Sequence, residues 1–437
     1  MKKRSRSRIL TALFIVFATM TNAAPTGVTV NGTALDDAVS SGGTGWTYNA
    51  PTLTLSGAEP LTLSGANTAG KVLVVVSAGA TSAVTLSDLT LQTTGSGQCV
   101  FELEQNADIS LFLAGTNTLA SGRDHAGLEV PASASISITN APSDAAGALT
   151  VTGGTMGAGI GGGSKGTGGT VTISGGTIIA NGGGFSAGIG GGYYYGAGGA
   201  VTISGGTVFA NGGSRGAGIG GGYQGKGGTV TISGGTVFAQ GNNGGADIGP
   251  GASGMGSGAN TFTGGSIRLA NDSISPTPTD NATHVWCVTV TNLTPNAAIV
   301  VTALDPYGVS DLFADENGKL YLWLPDGDYT FVAGNAGYTA TVDGAATTAV
   351  ANGLVAPLFA TDGTALVFDG TALAIKITNA KSGIWYALYR VNTLGETWVL
   401  LRSVCATTDG DLAFTGIDAT APYRFFKVKA SITQPLP

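Results

Sequence analysis

Thr170-Val171-Thr172-Ile173-Ser174-Gly175-Gly176-Thr177 returns as Ala200-Val201-Thr202-Ile203-Ser204-Gly205-Gly206-Thr207, and again as Thr229-Val230-Thr231-Ile232-Ser233-Gly234-Gly235-Thr236. From Val171 to Val201 to Val230 the steps are 30 and 29 residues. Looser copies flank these units, Leu149-Thr150-Val151-Thr152-Gly153-Gly154-Thr155 before them and Asn260-Thr261-Phe262-Thr263-Gly264-Gly265-Ser266 after. A second motif, Ala-Gly-Ile-Gly-Gly-Gly, surrounds Ile160, Ile189 and Ile219, with a weaker form at Ile248. Self-similarity at a fixed period marks an array of stacked units, and it turns the 74 glycines of the chain from low complexity into architecture.

Within each unit apolar and polar residues alternate with period two. Val171 and Ile173 fall on one side, Thr170 and Thr172 on the other, and Ile178 with Ala180 resume the apolar set after the Gly-Gly turn. That is the rhythm of a strand and not of a helix. Strands this short cannot bury a face alone. Stacking one unit on the next at about 4.8 Å pairs each backbone N–H and C=O with the turn above or below. The spacing therefore predicts an all-β chain built on a right-handed parallel β-helix. Its interior ladders are Val171/Val201/Val230, Ile173/Ile203/Ile232/Phe262, Ile178/Val208/Val237/Ile267 and Ile160/Ile189/Ile219/Ile248. A propeller is the rival, but its blades need about 40 residues or more.

Working outward, Leu53–Ser56, Val72–Val76, Val84–Leu86, Leu89–Leu91, Val100–Leu103, Ile109–Leu113 and Ile136–Ile138 keep the alternation with uneven spacing. They read as earlier, irregular turns of a solenoid covering 24–270, closed at its start by Gly45-Trp46-Thr47-Tyr48. A polar, proline-containing stretch at 271–283 reads as a linker. Beyond it, aromatic and charged residues return, and two small antiparallel β-sandwiches are expected at 284–353 and 354–437.

The first 23 residues read as a secretory signal. Lys2, Lys3, Arg4, Arg6 and Arg8 form a basic start, Ile9 to Met20 an apolar core, and Thr21-Asn22-Ala23 a cleavage site. The apolar run falls short of the roughly 20 residues that span a bilayer. A secreted or cell-surface protein follows, without membrane insertion after cleavage. Charged residues are 10% of the chain and the net charge is −7, before loss of the basic signal. Nucleic acid, which needs a basic stripe, is not an expected partner. Cys99, Cys287 and Cys405 lie in three separate segments with no CxxC or Cys/His motif, so no metal site is expected.

The Gly-Trp-Thr-Tyr start, Gly115-Thr116-Asn117-Thr118-Leu119, Gly127-Leu128-Glu129-Val130, Leu149-Thr150-Val151-Thr152 and the Ala-Gly-Ile-Gly-Gly-Gly units resemble a family of bacterial surface β-helix proteins, often described as carbohydrate-binding-domain proteins or glycine-rich surface repeats. The resemblance covers roughly Val28 to Ala270. It implies an extracellular polysaccharide-binding or adhesive role without catalysis. Some members resemble pectate lyases and bind calcium through acidic clusters, and this chain departs from them by its scarcity of acidic residues in the regular turns. Trp385-Tyr386, Trp398 and Tyr423-Arg424-Phe425-Phe426-Lys427-Val428 resemble sandwich domains at the ends of exported proteins of some environmental bacteria.

Chemistry is sparse. Between Gly153 and Gly258 the ionisable residues besides tyrosine are Lys165, Arg215, Lys226 and Asp247, and they form no pair. A glycosidase needs two carboxyls some 5–10 Å apart. Asp124 and His125, beside Arg123, read as a polar turn, and the loops holding Asp315-Glu316-Asn317-Gly318 and Asp326-Gly327-Asp328 as hairpin turns without calcium-loop spacing. Asn181, Asn211 and Gln240 form an amide ladder of structural kind. The binding candidates are Tyr193, Tyr194, Tyr195 and Tyr223: Tyr193 and Tyr223 share a repeat position, and Phe185 widens the patch. Aromatic rings in line suit the apolar faces of sugars. The expectation is a non-catalytic protein that binds polysaccharide or a cell-surface glycan without a cofactor. A purely structural envelope or matrix component is one alternative, and a β-helix lyase or hydrolase the other.

Overall fold

The structure, a computed structural model, describes residues 25–256, 258–304, 306–334 and 336–351 and, beyond them, 366–369, 372–380, 385–391, 397, 399–407, 410–418 and 425–431. The expected signal, Trp398 and Tyr423-Arg424 lie outside the described residues. Every regular element among the described residues is a strand, and none of their segments is a helix long and apolar enough to cross a membrane.

From Thr52 to Leu269 the chain winds as a parallel solenoid of three faces. The first carries Asp108–Ala114, Ser135–Asn140, Thr170–Ile173, Ala200–Ile203 and the first half of Thr229–Gln240. The second carries Thr116–Ala120, Ala148–Thr152, Thr177–Asn181, Thr207–Asn211 and the second half of Thr229–Gln240. The third carries Phe101–Leu103, Leu128–Glu129, Ile160–Gly161, Ile189–Gly190, Ile219–Gly220 and Ile248–Gly249.

The register is the one the repeat predicts. Ile173 pairs with Ile203, Ile203 with Ile232 and Ile232 with Phe262, and the other three ladders run likewise through their expected members. Each of these side chains is at most 2% exposed. Burying an aliphatic side chain of this size contributes roughly 1.5–3 kcal/mol, so the columns supply the main attraction between turns. The third face is held by backbone approach instead. Gly161, Gly190, Gly220 and Gly249 have φ of 131°, 134°, 139° and 141°. A Cβ on any of the first three would overlap the carbonyl oxygen of the glycine one turn on. Only glycine permits both that dihedral and that spacing.

Both ends are closed. At the start, Ser41–Gly43, Trp46–Asn49 and Thr52–Leu55 pair antiparallel, with Trp46 and Tyr48 buried and the Tyr48 hydroxyl donating to the Lys71 carbonyl at 2.7 Å. Antiparallel pairing at the first turn interrupts the parallel edge that would otherwise recruit another chain. At the far end, residues 271–283 lie along the last turn. Asp247, fully buried, accepts from the Gly241, Asn271 and Ser273 N–H groups and from the Asn271 side chain, at 2.7–3.2 Å. Ile274 bridges to Ile248, and Thr279 pairs with Thr261.

The next unit docks directly on that end. Trp323 is 8% exposed, belongs to the solenoid core, meets Phe262 edge-on at 5.4 Å and donates to the Ile267 carbonyl at 2.9 Å. The Tyr307 hydroxyl donates to the Gly265 carbonyl at 2.6 Å and accepts from the Trp323 N–H at 3.0 Å. The unit itself faces a three-stranded sheet (Trp286–Val290, Leu320–Leu324, Thr347–Thr348) against a four-stranded one (Val301–Thr302, Gly327–Ala333, Ala336–Val342, Val350–Ala351). Farther on stand two three-stranded antiparallel sheets, Leu366–Asp369 with Ala372–Ala380 and Gly410–Asp418, and Trp385–Val391 with Val399–Cys405 and Phe425–Ser431.

If the ladders carry stability, depth and not strand membership decides the cost of a substitution. Ile203→Ala is expected to lower unfolding free energy by about 2–5 kcal/mol. Its outward strand neighbour Thr202→Ala should change it by no more than about 0.5 kcal/mol. Urea unfolding followed by circular dichroism measures both.

Candidate functional site

Two short loops flank each third-face strand, and their residues form columns on one corner of the solenoid. Met156, Phe185 and Arg215 follow the strand before it, and Ser164, Tyr193 and Tyr223 come just after it. The columns interlock through the backbone: the Tyr193 N–H donates to the Met156 carbonyl at 2.9 Å and the Tyr223 N–H to the Phe185 carbonyl at 2.8 Å. Lys165, Tyr194 and Gln224, the next residues along, all have φ of 60–61°, so the loop turns identically on successive turns.

The structure brings the four predicted tyrosines together. Tyr193 and Tyr223 lie nearly parallel, 9° between planes and 6.2 Å between centroids. Phe185 tilts against both, at 5.2 and 6.3 Å. Tyr194 sits 5.6 Å from Tyr193, and Tyr195 packs edge-on against Tyr194 at 4.4 Å. The Arg215 guanidinium lies 5.1 Å from the centre of the Tyr223 ring. Tyr193 and Tyr223 are thus partly occupied by their neighbours. Tyr194 and Tyr195, 39% and 60% exposed, are the most open rings of the patch.

The amide ladder is in register, Asn181 with Asn211 and Asn211 with Gln240, and the Asn211 side chain donates to the Asn181 oxygen at 2.9 Å. Acidic loop residues have local duties. Asp326 accepts from the Gly344 N–H and Asp328 from the Thr341 hydroxyl.

Sequence reasoning missed two features. The first is a cleft of about 320 Å³ between the second face and the following unit, lined by Phe209, Phe238, Arg268, Phe313, Asp315 and Glu316, among others. Phe209 and Phe238 occupy one outward column that continues to Arg268, beside the hydroxyl column Thr177/Thr207/Thr236/Ser266. The signal was present: both phenylalanines fall on outward positions, between the inward Val208/Ala210 and Val237/Ala239. Arg268 spans the cleft, over Phe238 at 5.0 Å, and bonds both Glu316 oxygens at 2.8 and 3.0 Å and Asp315 at 3.4 Å.

The second is that the polar turn at Asp124 and His125 brings His125 onto Glu129 and the preceding turn. His125 Nδ1 lies 2.8 Å from Glu129 Oε2, and that oxygen also accepts from the Ala126 N–H at 3.1 Å. Glu129 pairs in register with Glu102 one turn earlier. Burial first, and then the Glu129 charge, raises the Glu102 carboxyl above its ordinary range. The Cys99 thiol, buried in the same place, is pushed well up by desolvation. Cys99 and Glu102 stand 23–30 positions before His125 and Glu129, which hides the cluster from any motif search. Neither glutamate lines the cleft.

Residues 171–193 and 201–223 match the family described as Beta helix repeat. Comparison with curated proteins and with solved structures yields no match. The matched segments include Phe185, Tyr193 and Tyr223.

Arg268 couples the cleft to pH. Its hydrogen bond draws the Glu316 carboxyl below the ordinary range. Burial opposes ionisation of Asp315, but bonds from Tyr321 and the Lys319 and Asn317 N–H groups, with the Arg268 charge, outweigh it and leave Asp315 low as well. A depressed carboxylate pKa stabilises the fold above the unfolded value and is lost as pH falls through the folded one. Arg268→Ala should therefore lower the melting temperature at neutral pH. The gap to the parent chain should narrow as pH drops below about 4, as thermal melts at stepped pH will measure.

Proposed function

We propose that this chain is an exported, non-catalytic protein that binds an uncharged or weakly charged polysaccharide along its β-helix. The observation that carries the reading is the tyrosine corner, where Tyr193 and Tyr223 stack at one repeat position on adjacent turns and Tyr194 and Tyr195, consecutive on one turn, stand open to solvent. Open aromatic faces and phenolic hydroxyls match the alternation of C–H faces and hydroxyls on a sugar ring. Turns about 4.8 Å apart let a linear chain of sugars lie along the axis. The low charge of the chain supports a neutral ligand over an acidic one. Export rests on the basic and apolar pattern of the first 23 residues. The resemblance of Val28 to Ala270 to surface carbohydrate-binding β-helix proteins supports the same reading.

The phenylalanine cleft favours a second location for the same ligand class. It is concave, its floor is aromatic, and hydroxyls and carboxylates line its rim. Pull-down on insoluble polysaccharides and a glycan array discriminate the two. With Tyr193, Tyr194, Tyr195 and Tyr223 all changed to Ala, apparent affinity is expected to fall about tenfold or more, a loss of about 1.4 kcal/mol. The pair Phe209→Ala and Phe238→Ala should leave it nearly unchanged. The opposite pattern would move the site to the cleft. No retention of the parent chain on any glycan would leave a structural envelope role in its place.

A further inference from the structure

At the junction between the irregular and the regular turns, the solenoid gathers three side chains of different chemistry. One donor atom from each of Cys99, His125 and Glu129 lies within 4.8 Å of the other two. Cys99 belongs to one turn, while His125 and Glu129 belong to the next. The Cys99 Sγ is internal, donating weakly to the Phe101 carbonyl at 3.3 Å and contacting the Ala126 carbonyl at 3.6 Å. The imidazole and carboxylate side chains are 26% and 17% exposed, so solvent reaches the two ligands that flank the buried thiol. A Cβ on Gly163 would come within 2.7 Å of Glu129 Oε1, so the glycine there gives the carboxylate its room.

We infer that Cys99, His125 and Glu129 form a binding site for a divalent transition metal of the zinc type. Thiolate and imidazole select zinc and its neighbours over calcium or magnesium, which take oxygen ligands. Bonds of about 2.0–2.3 Å to sulfur, nitrogen and oxygen put neighbouring donors on a tetrahedral ion roughly 3–4 Å apart, so a group already gathered within 4.8 Å need draw in by no more than about an ångström. The His125–Glu129 contact must open by a fraction of an ångström to admit the ion. Binding replaces the Cys99 S–H bond by a metal–sulfur bond and releases that proton to solvent, and the proton held between His125 Nδ1 and Glu129 moves to Nε2 or leaves to solvent as well, so no other reactant is needed. The Glu102 carboxylate beside Glu129 adds negative charge next to the ion without being required as a ligand. Three protein ligands leave one position for water, and the ion ties two turns together where the glycine repeat begins.

The test uses the whole chain, freed of metal by chelation and titrated with Co²⁺ and then Zn²⁺. Co²⁺ should bind with one equivalent and produce a cobalt–thiolate charge-transfer band, which Zn²⁺ abolishes by displacement. Zn²⁺ should also raise the melting temperature, because the ligands converge only in the folded chain. Cys99→Ser should remove the charge-transfer band. Glu129→Gln keeps the size of the side chain and its acceptor for the Ala126 N–H, and should weaken Zn²⁺ at least about 100-fold. Circular dichroism of both variants checks the fold. Absence of the band and of any melting shift at excess metal would overturn the assignment, as would a band that survives in folded Cys99→Ser.

Discussion

Hydrogen bonding between successive turns is the constraint from which the rest of this molecule follows. A strand of four or five residues has too little surface to hold itself, and its backbone groups need partners. Each turn satisfies the one before it, provided equivalent residues arrive at equal height. The near-constant step of 29 or 30 residues meets that condition. Once it is met, the side chains of one repeat position must stack, and stacking imposes like beside like: isoleucine and valine inside, threonine outside, asparagine on asparagine at a corner.

The same constraint governs where chemistry is possible. On the third face of the regular turns the backbones approach so closely that the outward position is glycine four times running. A glycine column has no functional groups. Chemistry therefore appears at its borders, in the loops beside the face and in the earlier turns, where Glu102 and Glu129 hold the position glycine takes later. The tyrosine corner and the Cys99/His125/Glu129 cluster are neighbours for this reason. They are linked through the backbone, Met156 N–H to Arg123 C=O and Ser164 N–H to Asp124 C=O.

An open solenoid end is a liability, and the two ends are managed differently. The first is blocked by antiparallel strands that come just before the first parallel turn. The last is covered by another unit, whose Trp323 enters the solenoid core. That covering creates the cleft, since the following unit leans over the outward Phe209 and Phe238 column and is held there by Arg268. A polar stretch such as 271–283 looks like a linker because its residues are hydrophilic. Its polar groups are instead engaged by buried Asp247 and by the last strand.

By itself, the sequence determined the solenoid, its register and its inward columns, because a strict period leaves one way to stack. It also brought out Tyr193 and Tyr223, since equal repeat positions must meet. The ends of the solenoid beyond Trp46 and Tyr48, the phenylalanine cleft and the Cys99/His125/Glu129 cluster needed the tertiary structure. The turns before Leu149 are unequal in length, so no period announces that Cys99 and Glu129 are neighbours, and the docking of one unit on another has no repeat to betray it. Local periodicity is written along the chain, whereas a contact between dissimilar segments exists only once both have been placed in space.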